Sequence, residues 1–219
     1  MLTQHRLPPL NSQSPKQVVL FLHGYGDSGS GGLLSIGELW QSQLPDCEFL
    51  CPDAPFPIEQ GPPGSGGRQW FGLTSLEPSD VLWGVEKAAP FLNEYIDYVL
   101  KSRQLPSNRL TVVGFSQGTM MALYVAPRRK DAVAGVIGYS GLLVGGATLS
   151  EDKKSTMPVL LVHGREDSVV PFAAMHDAEL GLKKAAFPVE TLACAGTAHS
   201  IDERGITEGL RFIRKAFGI

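Results

Sequence analysis

The sequence predicts an α/β fold, with a mostly parallel central sheet flanked by helices on both faces. Short apolar runs recur along the chain, and each is followed by a turn containing Gly, Pro or Asp and then by a helical pattern. Runs such as Val18–Leu22 and Val159–Val162 are continuous rather than alternating, which is typical of strands covered on both faces. The 219 residues suffice for one domain with a full core and are too few for two ample ones, so residues 1–219 are expected to form a single domain.

The individual elements follow from the same patterns. We predict strands near Gln17–Leu22, Glu48–Cys51, Arg109–Val113, Val133–Tyr139, Val159–Val162 and Val189–Cys194. We predict helices around Gly32–Gln43, Pro78–Arg103, Gln117–Val125, Phe172–Ala186 and Asp202–Ala216. Pro90 should kink the second helix or start a new one there, because proline lacks the N–H that a helix interior needs. The residues before Asn11 leave room for an additional edge strand.

Composition and charge exclude several classes of partner. The net charge of −3 gives no reason to expect nucleic acid or an anionic membrane. No apolar stretch is long enough to span a bilayer, so we expect no stable membrane insertion. The segment Leu2–Lys16 is polar and proline-rich, unlike a signal peptide, which favours a cytoplasmic protein. Cys47 and Cys51 lie on one predicted strand with Cα atoms roughly 13 Å apart, too far for a disulfide, and are expected to be buried hydrophobes.

The most informative local motif is Gly114-Phe115-Ser116-Gln117-Gly118. It follows the apolar run at 110–113 and leads into a helical stretch at 119–124. In this strand–turn–helix context, G-x-S-x-G predicts a nucleophile elbow that exposes the serine hydroxyl. Glycines two positions either side of Ser116 remove side chains that would collide where the strand and the helix cross.

An acid and a base follow Ser116 in the order that such a site requires. Serine acyl transfer needs a base for the hydroxyl proton and an acid that orients the base. Asp167 and His199 each follow a predicted strand at the carboxyl edge of the sheet, where catalytic groups gather. We therefore predict a catalytic triad of Ser116, Asp167 and His199. Glu166 is the nearest competitor for the acid, and Asp53 fits the order less well because it precedes the serine.

The remaining histidines have simpler interpretations. His5 lies in the polar N-terminus and His176 in the middle of a predicted helix, so both are expected to face solvent. His23 and His163 each end a strand directly before a glycine, and either could be a buried structural histidine. Cys194 has no partners at metal-ligand spacing, and we predict neither a metal nor a cofactor.

The loop 23–29 supports two interpretations. In a serine hydrolase it would supply the backbone N–H of Tyr25 as an oxyanion donor, beside that of Gln117. Gly24, Gly26 and Gly29 also match G-x-G-x-x-G after a strand, and Asp53 ends the next strand, as in a dinucleotide-binding oxidoreductase. That alternative does not explain the serine elbow. A non-catalytic binding protein on a hydrolase scaffold is a third hypothesis, against which the intact triad argues.

Together these motifs resemble the phospholipase/carboxylesterase and acyl-protein thioesterase family, the small cap-less branch of the α/β hydrolases. The segments that carry the resemblance are the loop 22–29, Gln69-Trp70-Phe71, the elbow at 114–118, the acid loop 163–171 and the histidine loop 196–200. The resemblance implies an α/β-hydrolase fold without a cap domain. It also implies hydrolysis of esters or thioesters by Ser116, Asp167 and His199, with Tyr25 and Gln117 as oxyanion donors. Relatives often pair as homodimers, a point that no sequence feature decides here.

The substrate groove is the least specified part of the prediction. The segment between Tyr139 and Val159 has room for a loop but not for a cap. This predicts an open groove for short to medium acyl chains on small-molecule esters or thioesters, and for acyl groups presented on a protein. Candidate groove walls are Trp70, Leu73, Leu143 and Val169. The Gly61–Gly67 segment lacks the Gly-Lys-Ser/Thr of a phosphate loop, and a long loop in a compact domain is often functional.

Overall fold

The computed structural model describes residues 2–11, 14–58, 66–73, 75 and 77–219. Its strands are β1 (Gln4–Leu7), β2 (Gln17–Leu22), β3 (Cys47–Pro52), β4 (Phe56–Pro57), β5 (Arg68–Gln69), β6 (Leu110–Phe115), β7 (Gly135–Tyr139), β8 (Val159–Gly164) and β9 (Val189–Cys194). Its α-helices are α1 (Gly32–Gln41), α2 (Pro78–Arg103), α3 (Gln117–Val125), α4 (Leu149–Asp152), α5 (Ala173–Lys184) and α6 (Glu203–Phe217). The predicted Gly61–Gly67 loop lies outside the described residues, apart from Gly66 and Gly67.

The central sheet has the strand order β1-β3-β2-β6-β7-β8-β9. All neighbouring pairs are parallel except β1 with β3, which is antiparallel. Strands β2, β3, β7 and β8 are buried along their whole length, which confirms the prediction from their unbroken apolar runs. The two edges differ from this pattern, since β1 and β9 are partly exposed.

Helices cover both faces of the sheet and enclose two apolar cores. One core packs α2, α3 and α5 against the sheet, with Leu92, Met121 and Leu182 fully buried among its members. The other packs α1 and α6 against the opposite face, around Trp40 and Phe212. The predicted fold class is therefore confirmed. Between β7 and β8 the chain forms only loops and the single-turn helix α4, so no cap covers the carboxyl edge of the sheet there.

The sequence predicts a kink or a new helix at Pro90, and the structure excludes the second of these outcomes. The helix α2 runs continuously through this proline, so no new helix begins there. The missing N–H would have bonded the carbonyl of Glu86 one turn earlier, and both residues lie on the exposed side of the helix. Solvent can therefore satisfy that carbonyl while the opposite side of α2 stays packed in the core. No helix among the described residues is both long enough and apolar enough to cross a membrane.

Candidate active site

Ser116 occupies a strained turn between β6 and α3. Its backbone has φ 52° and ψ −115°, a combination that L residues rarely adopt. The flanking glycines are required by close backbone contacts. A Cβ at Gly114 would lie 2.5 Å from the Gly118 carbonyl carbon, and one at Gly118 would lie 1.9 Å from the carbonyl oxygen of Leu22. The predicted elbow geometry is thus present at Ser116.

Hydrogen bonds to the neighbouring strand and helix hold this turn in place. The Ser116 N–H donates to the carbonyl of Tyr139 at 2.9 Å, and the Thr119 hydroxyl donates to the same oxygen at 2.8 Å. The Ser116 carbonyl accepts the N–H groups of Thr119 and Met120. Such a backbone conformation costs about 1–3 kcal/mol, and these contacts offset part of that cost.

Asp167 and His199 meet at the carboxyl edge of the sheet. The carboxylate oxygen Oδ2 accepts from His199 Nδ1 at 2.8 Å, so the second ring nitrogen, Nε2, is not engaged by Asp167. The other oxygen, Oδ1, accepts the N–H groups of Val169 and Val170, both at 2.9 Å. Burial acts to raise the pKa of Asp167, but the hydrogen bonds from His199, Val170 and Val169 outweigh it and hold that pKa below its ordinary value. The carboxylate is therefore charged at neutral pH.

The acid loop and the histidine loop are packed directly on each other. A Cβ at Gly164 would lie 2.2 Å from the carbonyl oxygen of Thr197, so only glycine fits where the two backbones cross. The Glu166 N–H donates to the same Thr197 oxygen at 3.0 Å. These contacts leave Glu166 exposed and turn Asp167 inward, where its side chain is fully buried. Asp167, and not its neighbour, is the carboxylate that contacts His199.

Asp202, which is not among the site residues predicted from the sequence, anchors the histidine loop. It is the N-cap of α6, and its Oδ1 accepts the Gly205 N–H at 2.8 Å. Its Oδ2 accepts the hydroxyl of Thr197 at 2.8 Å and the guanidinium of Arg204. Burial opposes ionisation, yet these donors, the Gly205 N–H first among them, lower the pKa of Asp202. An Asp directly before a helical pattern is a recognised cap signal and could have identified it.

The imidazole of His199 lies beside the elbow. Its ring centroid is 4.9 Å from that of Phe115, the residue before the serine. Its only hydrogen bond with a described residue is the one to Asp167, so no hydrogen bond links it to the hydroxyl of Ser116. Such contacts are often long in an unliganded site and tighten when substrate binds. The second ring nitrogen, Nε2, therefore has no hydrogen-bond partner among the described residues.

The other histidines have structural or surface positions. His23 is fully buried, its Nδ1 donates to the Gly24 carbonyl at 2.7 Å, and its Nε2 accepts the Ala54 N–H at 3.0 Å. Burial lowers the pKa of His23, consistent with this neutral form. The ring of His163 is also buried and donates from Nε2 to the Val170 carbonyl at 2.9 Å, with Asp167 Oδ2 at 3.3 Å. His176 is exposed, as predicted.

The loop after β2 runs alongside the serine. A Cβ at Gly24 would lie 3.2 Å from the Phe115 ring and 3.5 Å from the Ser116 Cβ, so this loop and the elbow are in contact. The Gly26 N–H donates to the Arg68 carbonyl, which fixes the loop on the far side of Tyr25. The Tyr25 side chain is exposed. Its backbone therefore lies in a segment that is held at both ends, next to Ser116.

Gln117 contributes through its side chain as well as through its backbone. The buried amide accepts the Trp70 N–H at 2.8 Å and donates to the Phe71 carbonyl at 2.8 Å. The Trp70 indole in turn donates to the carbonyl of His23 at 3.0 Å. This bridge joins the elbow, the loop after β2 and the segment at 70–71 into one rigid unit. The first residues of a helix leave their backbone N–H groups without intrahelical partners. The backbone N–H of Gln117, unlike its side-chain amide, is therefore available to a ligand.

The predicted groove walls have different environments. Trp70 is fully buried, which contradicts its assignment as a groove wall. Its indole instead donates a hydrogen bond to the His23 carbonyl, at the start of the loop after β2. Leu73 packs partly buried on the apolar core. Val169 is 62% exposed at the rim of the acid loop. Leu143 lines a largely apolar cavity of about 670 Å³, between the start of α2, the loop after β7 and α5.

Close packing explains the last glycine of the G-x-G-x-x-G match without phosphate binding. A Cβ at Gly29 would lie 2.2 Å from the Cys51 carbonyl oxygen, and the Gly29 N–H donates to Asp53 at 2.8 Å. The carboxylate of Asp27 lies against the start of α1, 1.9 Å from where a Cβ at Gly31 would be. A negative charge thus occupies the place where a dinucleotide would put its pyrophosphate. This arrangement contradicts the dinucleotide alternative.

All three cysteines are free and buried, as expected for small hydrophobes. Burial raises the pKa of the Cys47 and Cys51 thiols, so neither is a reactive thiolate at neutral pH. The described residues hold no group of three or more His, Cys, Asp or Glu side chains that could share a metal ion.

Comparisons with known proteins identify the family. Residues 10–217 match the model of the phospholipase/carboxylesterase family. The chain is 29% identical over 209 residues to the esterase YpfH of Escherichia coli, covering 92% of this chain and 85% of that protein. It is 30% identical over 214 residues to acyl-protein thioesterase 1 of Schizosaccharomyces pombe, covering 91% of each. The crystal structure of esterase PE8 superposes with a TM-score of 0.91 at 32% identity, covering 98% of this chain and 99% of that one.

These findings decide between the three functional hypotheses. The named relatives are esterases and thioesterases, so neither an oxidoreductase nor a non-catalytic binding protein fits the chain. The chain belongs to the phospholipase/carboxylesterase family, and it is a carboxylic ester hydrolase with the α/β-hydrolase fold.

Proposed function

We propose that this enzyme cleaves acyl esters or thioesters through a triad of Ser116, Asp167 and His199 and a covalent acyl-enzyme intermediate. The observation that carries the proposal is the 2.8 Å bond between Asp167 Oδ2 and His199 Nδ1, beside a serine in a strained elbow. The buried, charged carboxylate fixes the imidazole tautomer, which leaves Nε2 as the base. The strained turn presents the hydroxyl to that base.

In the proposed mechanism, His199 Nε2 takes the proton of Ser116 Oγ as this oxygen attacks the acyl carbonyl carbon. Asp167 stabilises the imidazolium that forms. The tetrahedral intermediate collapses, the bond to the leaving alcohol or thiol breaks, and the imidazolium returns the proton to the leaving group. A water molecule then attacks the acyl-enzyme with His199 again as base, releasing the carboxylic acid and restoring the serine.

The backbone N–H groups of Gln117 and Tyr25 are the proposed oxyanion donors. Gln117 begins a helix, so its N–H also lies at the positive end of the helix dipole. The rigid bridge from Gln117 to the segment at 70–71 supports preorganised donors, which act without reorganising during the reaction. Loss of one such donor costs about 10²–10³ in turnover. Since both donors are main-chain groups, the side chain of Tyr25 is expected to matter less than its backbone path.

We further propose that the substrates carry short to medium acyl chains. The absence of a cap between β7 and β8 and the apolar cavity beside Leu143 support chains that lie in an open groove. The resemblance to acyl-protein thioesterases supports acylated proteins as an additional substrate class. Trp70, being buried, is not part of this groove, whereas Leu73, Leu143 and Val169 remain its proposed walls. We also propose a cytoplasmic homodimer in which each chain carries a complete site.

The decisive experiment is active-site labelling. Purified enzyme is treated with a fluorophosphonate, and the modified residue is identified by intact mass and peptide mapping. We expect one label at Ser116 and hydrolysis of soluble p-nitrophenyl esters. Ser116→Ala should lose both, while Ser150→Ala, an exposed serine on α4, should keep both. A folded protein that takes no label at neutral pH would refute the triad.

A chain-length series addresses the substrate proposal. We expect turnover of p-nitrophenyl esters to peak between short and medium chains and to fall for emulsified long-chain triglycerides. Thioesters with the same acyl groups would measure the preference between oxygen and sulfur leaving groups. A strong preference for emulsified triglyceride would contradict the open groove.

A further inference from the structure

The outward face of α2 carries a stripe of exposed side chains. Its members are Asp80, Trp83, Lys87, Pro90, Phe91, Glu94, Tyr98 and Lys101. At 3.6 residues per turn, these eight positions fall within an arc of about 100° on the helix surface. The opposite side of α2 is buried in the core, so this stripe is the part of the helix that faces outward.

The stripe is unusually aromatic for a surface. Trp83, Phe91 and Tyr98 are 64%, 42% and 36% exposed. Phe56 extends the patch, because its ring packs edge-on against Phe91 with centroids 5.6 Å apart. The exposed parts of the three stripe rings amount to roughly 300 Å² of aromatic surface. Apolar patches of this size commonly mark interaction sites.

The charged side chains of the stripe form no ion pairs with other described residues of the chain. No ion pair with another described residue involves Asp80, Lys87, Glu94 or Lys101, whereas Arg103, Asp97 and Lys183, which lie outside the stripe, do form such pairs. Lys87 makes a local contact only, with its ammonium 5.6 Å from the ring centroid of Trp83. The stripe therefore offers two cations and two anions to a partner. Their alternation with aromatic groups favours a protein partner over a lipid surface.

The order of these side chains is self-complementary. Measured from the midpoint between Pro90 and Phe91, Lys87 lies as far to one side as Glu94 lies to the other. Asp80 and Lys101 are likewise equidistant from this point, and so are Trp83 and Tyr98, as the sequence order shows. When two copies of a helix pack antiparallel across such a midpoint, each residue faces its mirror position in the other copy. Every cation then meets an anion, and every aromatic ring meets an apolar group.

We propose that two copies of this chain pair through the α2 stripe, antiparallel about a two-fold axis that passes between Pro90 and Phe91. Lys87 then pairs with the partner's Glu94, and Asp80 pairs with the partner's Lys101. A two-fold axis makes each of these contacts twice. The outer pairs lie about 16 Å from the axis, so they can meet only if the helices cross at a shallow angle, near the 20° class.

The interface is modest in size, and the dimer is accordingly concentration-dependent. Stable complexes bury at least about 1,200 Å² in total, and the aromatic surface of both stripes supplies about half of that. The charged side chains and Phe56 supply the remainder at the rim. The proposal does not depend on the catalytic mechanism, because none of the stripe residues belongs to the proposed triad or oxyanion hole.

The first test is a charge swap followed by sedimentation velocity over a wide range of protein concentration. Lys87→Glu alone and Glu94→Lys alone each place like charges opposite one another, twice per dimer, and should raise the dimer Kd by on the order of tenfold. The double variant, Lys87→Glu with Glu94→Lys, restores both pairs and should return the Kd to near the wild-type value. Glu38→Lys on α1, across the sheet, is the matched control and should leave the Kd unchanged.

The second test is crosslinking at the axis. Phe91→Cys brings two thiols together across the two-fold, whereas the three native cysteines are buried. Mild oxidation should give a covalent dimer, and Leu39→Cys, at a more exposed position on α1, should not. The proposal is overturned if the wild type stays monomeric at several hundred micromolar. It is also overturned if the double variant raises the dimer Kd by as much as the two single substitutions combined. Equal crosslinking of both cysteine variants would overturn it as well.

Discussion

The side chain of Gln117 offers a sharp test of how the elbow is held. Its amide satisfies the N–H of Trp70 and the carbonyl of Phe71, both buried. Gln117→Met keeps a similar shape but leaves these two backbone groups without partners. Each buried unsatisfied group costs about 1–3 kcal/mol, so we expect a loss of about 2–6 kcal/mol in the free energy of unfolding. A domain of this size has about 5–15 kcal/mol in total, so the effect is large.

Gln117→Glu separates hydrogen bonding from packing. A neutral carboxyl group can still accept from Trp70 and donate to Phe71, but a carboxylate cannot donate. Burial without a cationic partner raises the pKa of the introduced group above its unfolded value of about 4.3. The native state then holds the proton more tightly than the unfolded state does. Relative to wild type, the variant is therefore nearly as stable at about pH 4.5 and loses roughly 1.4 kcal/mol per pH unit as the pH rises toward the raised pKa.

Urea unfolding of wild type and both variants between about pH 4.5 and 8 measures these differences, with ester turnover recorded at a permissive temperature. The proposed oxyanion donor is the backbone N–H, which both variants retain, so we expect kcat to stay within about tenfold of wild type. If Gln117→Met has the same urea midpoint as wild type, the side-chain hydrogen bonds of Gln117 to Trp70 and Phe71 do not stabilise the fold. If Gln117→Glu shows no pH-dependent difference from wild type, the introduced group is not buried as the structure requires.

Three further predictions concern the site and its support. Asp167→Asn should lower kcat by about 10⁴-fold in the ester assay. Because the pKa of Asp167 is lowered, its contribution to stability is present above about pH 3.9 and is lost as the pH falls through the lowered value. The difference in unfolding free energy between wild type and Asp167→Asn should therefore shrink in strong acid, and a constant difference would contradict this. Gly118→Ala puts a Cβ 1.9 Å from the Leu22 carbonyl oxygen and should cost roughly 3 kcal/mol or more, seen as a large drop in Tm; a Tm within a few degrees of wild type would refute the close contact. Ala174→Phe should fill part of the cavity of about 670 Å³ and lower kcat/KM for octanoyl but not acetyl esters, and an equal effect on both would remove this cavity from the acyl site.

The positions of the local elements and the residue types of the proposed site follow from sequence patterns alone. The bounds of α2 (Pro78–Arg103) and α3 (Gln117–Val125) were predicted to the residue, because helix periodicity and a proline at the start are local signals. The elbow was predictable for the same reason, since only glycines fit the crossing of β6 and α3. Continuous apolar runs predicted buried parallel strands, as burial on both faces leaves no polar alternation.

Contacts between side chains from distant segments depend on the packing of the fold. Asp167 and Glu166 are neighbours in sequence, and only the packing of Gly164 on the loop at Thr197 turns Asp167 inward. The burial of Trp70 was also unpredictable, because an indole suits either a groove wall or an interior brace.

Pro90 and Asp202 show the same division between local and tertiary information. Proline predicts a helix break by local rules, but the core packing of α2 outweighs the loss of one exposed hydrogen bond. A cap residue such as Asp202 can be recognised in sequence, whereas its contact with Thr197 in the histidine loop cannot. Sequence patterns record local conformational preference and burial, while contacts between distant segments depend on which atoms fill the space between them. The residue types of the proposed triad can therefore be predicted from the sequence, whereas the contact between Asp167 and His199 depends on how the loops pack.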